Sequence, residues 1–199
     1  MTLYSPMKEE SPMKNILVFL SLILLFVGGC HHDSGLDHSS DGNIQNASEV
    51  NWLSYGNDYT ERRFSPLDQI NTSNASSLGL DWALDMPDAI QFVSTPLAID
   101  GVLYFSGDRS IVRAVDASTG ELLWTFNPEI HKQSPRTIAL GWNINRGLAY
   151  LNGKLFIGAT DGRLIAIDQE TGNQVWATET FDPEESKAIT GAPRAFKNQ

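Results

Sequence analysis

The chain has 199 residues, 24 acidic against 14 basic, and a formal charge of −10. Phosphate backbones are held by clustered Lys and Arg, so nucleic acid is excluded as a partner. The single cysteine, Cys30, excludes an internal disulfide.

In chain order, the first element is a targeting segment over residues 1–29. Ile16–Val27 is an apolar run behind Lys14. Its length falls within the ~7–15 residues of a signal-peptide core and is too short to span a bilayer. Met13 would serve as a more usual start than Met1. Val27-Gly28-Gly29-Cys30 resembles a bacterial lipobox. That resemblance implies cleavage before Cys30 and its lipidation, giving a periplasmic protein anchored to a membrane. The other reading is an ordinary signal peptide that happens to contain a cysteine. His31, rather than Asp, follows Cys30, which by analogy with enteric lipoproteins points to the outer membrane.

Residues 30–50 are rich in His, Asp, Ser, Gly and Asn without periodicity, the composition of a flexible tether. His31, His32 and His38 lie there with no ligand set at a recognised metal spacing. Asn46, Asn71 and Asn74 begin glycosylation-type triplets, read as chance matches.

Residues 51–199 form the folded part. A lead-in segment covers 51–82. Strands are predicted at 95–99, 102–106, 111–115 and 122–126, then at 148–151, 155–159, 164–167 and 175–178. Asp100-Gly101, Asn152-Gly153 and Asp161-Gly162 supply hairpin turns. Gly101–Trp124 aligns with Gly153–Trp176 without a gap, and Ala-x-Asp-x-x-Thr-Gly-x-x-x-Trp occurs in both copies, at 114–124 and 166–176. Asp and Thr bond turn backbone, Gly supplies a permissive dihedral, and Trp packs between units, so the motif is structural rather than catalytic. Four short strands per unit at this period is the signature of an all-β propeller, here about two blades. Ile189–Phe196 matches Val93–Ile99 about Pro193 and Pro96 and is expected to begin a further blade. Closed propellers have 4–8 blades, so the chain is expected to be part of a longer ring, or a decayed gene product.

The doubled motif resembles the tryptophan-docking repeat of quinoprotein alcohol dehydrogenases, eight-bladed propellers that bind pyrroloquinoline quinone (PQQ) and Ca²⁺. Three further elements are similar to that family in the same order: Trp52-x-x-Tyr55-Gly56 with Arg63–Asn71, Asn145-Arg146-Gly147, and Ile189-Thr190-Gly191-Ala192-Pro193. The resemblance covers residues 51–199. It implies that Arg146 and Thr190 contact the quinone, whose carboxylates suit a two-point guanidinium. The bland readings are an ion pair between blades for Arg146 and a turn or strand cap for Thr190. The sequence departs from the family where Val93 replaces a glutamate, and where Leu140-Gly141 replaces a cysteine pair that covers the quinone. Trp142 would cover it by stacking, or is a packed core residue. The family oxidises a small alcohol with a carboxylate base and a metal-polarised quinone, passing electrons to a periplasmic acceptor. Its Ca²⁺ ligands and catalytic Asp fall in later blades. This chain is therefore expected to bind the cofactor at most weakly and to be inactive by itself. The rival reading is a non-enzymatic propeller lipoprotein resembling the outer-membrane assembly scaffold. The lipobox and missing cysteines favour that rival, whereas Arg146, Thr190 and the lead-in segment favour the dehydrogenase.

Overall fold

A computed structural model of the protein describes residues 50–133, 144–182, 184–185 and 187–196. The tether, Cys30 and the Leu140–Trp142 stretch lie outside the described residues.

Eight short strands form two four-stranded antiparallel sheets in sequence order. The first holds β1 (Leu97–Ile99), β2 (Val102–Ser106), β3 (Val112–Asp116) and β4 (Leu122–Phe126). The second holds β5 (Ala149–Leu151), β6 (Lys154–Gly158), β7 (Arg163–Asp168) and β8 (Gln174–Glu179). The predicted strands hold to within two residues. The two copies share their irregularity too: the β3/β4 register shifts between Ala114 and Val115, and the β7/β8 register between Ala166 and Ile167.

The first hairpin of each sheet turns through two residues with positive φ, Asp100 (50°) and Gly101 (80°), then Asn152 (49°) and Gly153 (70°). That pairing matches the strand twist, so the two-residue loops are tight. One helical turn, Ile130–Gln133, follows β4 and buries Ile130.

The sheets stack face to face. Leu97, Ile99, Tyr104, Val112 and Ala114 of the first meet Leu155, Ile157, Ile165 and Ile167 of the second in one buried cluster. At about 25 cal/mol per Å² of apolar surface removed from water, this contact dominates what holds the blades together.

The docking motif works as a backbone device. The Asp116 carboxylate accepts from the N–H groups of Ser118 and Thr119 and from both hydroxyls. Asp168 does the same for Thr171. Trp124 lies over Gly172, where an added Cβ would stand 2.6 Å from its ring, and its indole N–H donates to Gln169 O at 3.2 Å. Trp82 repeats that arrangement one blade earlier, lying over Gly120 and donating to Ala117 O at 3.0 Å. Trp82 is thus a docking tryptophan, which the reading of 51–82 as a plain lead-in missed. Its own Asp and Gly turn is absent from the residues before it, so the repeat pattern had nothing to match.

Two expectations change. Thr95 makes only an isolated bridge to Gly147, so β1 starts at Leu97. Residues 187–196 carry no strand, because no described segment offers them a ladder partner. Asn71 and Asn74 have local duties: Asn71 Oδ1 accepts from Ser73 N, and Asn74 Nδ2 donates to Gln69 O.

Candidate functional site

The starts of three successive segments lie side by side. Thr95 N–H donates to Arg146 O at 3.3 Å, and Arg146 N–H donates to Thr190 O at 3.0 Å. This stitching brings together the two residues singled out in separate motifs. Arg146 Nη1 donates to Thr190 Oγ1 at 2.6 Å and to Thr190 O at 3.3 Å. The Arg146 side chain is otherwise open to solvent. Because Thr190 Oγ1 accepts from Arg146, its own hydrogen is left to donate onward.

Asn145 fixes the backbone that carries Arg146. It is buried (1 % exposed) and bonded on both sides of the blade interface. Its Oδ1 accepts from Ser106 Oγ at 2.8 Å and Gly147 N at 3.1 Å. Its Nδ2 donates to Gly158 O at 2.8 Å and Ser110 Oγ at 3.4 Å. The amide is therefore fully used, which is what makes a buried polar group tolerable. Gly147 has φ +136°, with Thr95 O 3.3 Å from where a Cβ would stand. Asn-Arg-Gly is thus a latch that presents one guanidinium.

An open recess of about 370 Å³ adjoins it, lined by Tyr55, Arg146, Gly191, Ala192 and Arg194. Trp52 exchanges backbone hydrogen bonds with Ala98 along the free edge of β1, at 2.7 and 3.1 Å, and so delivers Tyr55 to this recess. Arg63 and Arg194 both stand over the Tyr55 ring, 4.2 and 4.5 Å from its centroid. Arg194 Nε pairs with Glu61 at 2.7 Å. Tyr55 and Arg194 were not singled out from sequence as site residues, although both sit inside quoted motifs. Their contacts are long-range (Glu61 and Arg194 are 133 residues apart), so no local spacing betrays them.

Val93, at the place where the resemblance implies a glutamate, is exposed and offers no polar side-chain atom. Trp142 and Cys30 lie outside the described residues. Among the described residues no group of three or more His, Cys, Asp or Glu gathers for a metal ion.

The profile described as PQQ: glucose/ethanol/alcohol dehydrogenase, beta-propeller domain, matches residues 52–181. The chain belongs to this family. It is 47 % identical over 148 residues to quinohemoprotein alcohol dehydrogenase ADH IIB of Pseudomonas putida, covering 74 % of this chain and 21 % of that protein. Its fold matches the crystal structure of quinohemoprotein alcohol dehydrogenase from Comamonas testosteroni with a TM-score of 0.69 at 41 % identity, over 77 % of this chain and 23 % of that one. A europium-containing methanol dehydrogenase gives 0.70 at 31 % identity, over 79 % and 28 %. The chain spans about a fifth of the length of the curated relatives it matches. The two stacked sheets are accordingly two blades of this family's β-propeller.

Proposed function

We propose that this chain forms one side of the quinone site of a PQQ-dependent dehydrogenase that oxidises small alcohols in the periplasm. The observation that carries the reading is the Arg146–Thr190 contact at the edge of the recess. The donor set fits the group. PQQ presents carboxylates and quinone oxygens, and here an exposed guanidinium and a hydroxyl with a free hydrogen stand beside an open space. When bound, PQQ supplies the two-electron acceptor that no side chain of this protein can. Arg146 would hold it by a charge-assisted bond, Thr190 would donate to it, and Asn145 would keep Arg146 in place. Relatives that act on alcohols support the substrate class. Ca²⁺ is the metal we assign, held by residues beyond those described, and a periplasmic carrier takes the electrons. Lipidated Cys30 would tether the assembly to the membrane, preferably the outer one.

Dye-linked oxidation of ethanol and 1-butanol by the native protein containing this chain tests the reading. Activity should require added PQQ and Ca²⁺. Arg146→Ala should weaken quinone affinity by about 10- to 100-fold, the worth of one charge-assisted hydrogen bond. The 199-residue chain by itself should reduce no dye. Quinone-independent activity, or unchanged affinity in Arg146→Ala, would sink the proposal. The intact mass of the membrane-extracted protein tests the anchor, since a lipidated N-terminus at Cys30 adds acyl mass that Cys30→Ser abolishes.

A further inference from the structure

Three guanidiniums gather near the recess: Arg146 and Arg194 in its lining, and Arg63 over the ring of the lining residue Tyr55. Glu61 pairs with Arg194, and among the described residues neither Arg63 nor Arg146 pairs with a carboxylate. With Glu61 counted, three guanidiniums against one carboxylate leave a net positive field at the recess, which favours an entering anion. Tyr55 contributes on one side only: a ring face attracts cations but cannot neutralise them. Arg194 is not loose, because Tyr55 and Glu61 hold it and its Nη1 donates to Ala192 O at 3.0 Å. A held cation facing an open space is pre-organised for an anion.

We propose that Arg194, positioned by Tyr55 and Glu61, is a second anion-binding residue of the recess. The recess then takes a ligand with carboxylates on two edges, one for Arg146 and one for Arg194. This rests on the quinone reading for the identity of the ligand, but not for its charge pattern. The lead-in segment thereby has a task beyond packing. It crosses from the edge of β1 to residues 194–196, where Tyr59 meets Phe196 with ring centroids 5.1 Å apart, and it sets the floor on which the ligand rests.

The test is a binding titration on the full chain, followed by tryptophan fluorescence. The ligands are PQQ and benzene-1,3,5-tricarboxylate, a redox-silent compound with carboxylates on separate edges. Both should bind, and more weakly as salt rises. Arg194→Gln should weaken both about tenfold, and Arg194→Lys should restore part of the loss. Tyr55→Leu should lose several-fold, and Tyr55→Phe, which keeps the ring, should recover most of that loss. Circular dichroism and the urea midpoint of each variant separate loss of fold from loss of binding. If Arg194→Gln folds and binds both ligands as the parent does, the inference is overturned while an Arg146→Ala loss would still uphold the quinone reading. If the tricarboxylate binds through Arg194 but PQQ does not bind, the quinone reading falls and the inference stands. Binding of neither ligand overturns it.

Discussion

Gly153 and Gly172 share one backbone conformation, φ +70°, but not one environment. Nothing lies within 4 Å of a Cβ placed on Gly153, whereas on Gly172 it would meet the Trp124 ring at 2.6 Å. Gly153→Ala should therefore cost only the left-handed backbone penalty, about 1–2 kcal/mol. Gly172→Ala adds overpacking and should cost about 2–5 kcal/mol in total. Urea midpoints of the two variants check this, and equal losses would refute the docking role of Trp124. The same turns carry a pH signature. Hydrogen bonds donated by the Thr171 hydroxyl and N–H hold the Asp168 carboxyl below its ordinary value, and those donated by the Ser118 hydroxyl and the Thr119 N–H do so for Asp116. A carboxyl lowered on folding stabilises the fold above the ordinary value, about pH 4, and that contribution vanishes as pH falls through the lowered one. The thermal midpoint should thus fall below about pH 4, and fall less steeply in Asp168→Asn, which keeps the acceptor oxygen without the titration. These turn residues were legible because they recur at fixed spacing. Tyr55 and Glu61 were not, because their partner Arg194 is remote in sequence.

Strands were easier to read than what joins them. Half-buried and buried positions alternate along most of β2 and β6, and both first hairpins carry explicit turn residues. Trp82 escaped because the docking repeat is recognised by the Asp–Gly turn before its tryptophan, and no such turn precedes Trp82; the turn that receives it, at Gly120, lies in the following blade. The Asn145 network escaped for a related reason: Ser106, Ser110 and Gly158 are ordinary residues until the two blades stack around one amide. Asn145→Ala would leave Ser106 Oγ, Gly158 O and Gly147 N without that partner inside the interface. A loss of about 2–4 kcal/mol is expected, together with faster hydrogen exchange at Gly147. Stability unchanged in this variant would mean that water replaces the amide. Arg113 tests the interface on the other side of the first sheet. It is 7 % exposed, its Nη1 has no partner among the described residues, and burial pushes its guanidinium below the ordinary value against the opposing pull of Asp108. The corresponding position in the second sheet is Ile165, fully buried against the first sheet. Arg113→Ile should raise the thermal midpoint of the isolated chain, since a buried guanidinium held by the Phe92 ring at 5.7 Å and by no ion pair among the described residues gives way to an apolar side chain.

At the scale of the molecule the two outer faces of the stack decide how the chain behaves. Trp124 is docked on Gly172, but Trp176, its counterpart one blade on, is 39 % exposed beside Val175 at 47 %. An apolar pocket beside it is lined by Ala149, Leu151, Phe156, Leu164, Pro193 and Ala195, among others. A sheet face of this kind is covered in a ring by the next blade, whose Asp–Gly turn would receive Trp176 as Gly172 receives Trp124. The stacking rule read from one docked pair therefore predicts association wherever that cover is absent. Sedimentation velocity of the 199-residue chain should show a concentration-dependent rise in mass, with binding of a hydrophobic dye. Trp176→Gln should weaken both, because it removes the largest exposed ring of the face without touching the buried cluster between the sheets. Trp124→Gln should instead lower the urea midpoint, since its ring lies inside the stack. A chain that stays monomeric at all concentrations while Trp176→Gln changes nothing would mean that this face needs no cover. The docking tryptophans would then belong to the packing of each blade rather than to the joining of one blade to the next.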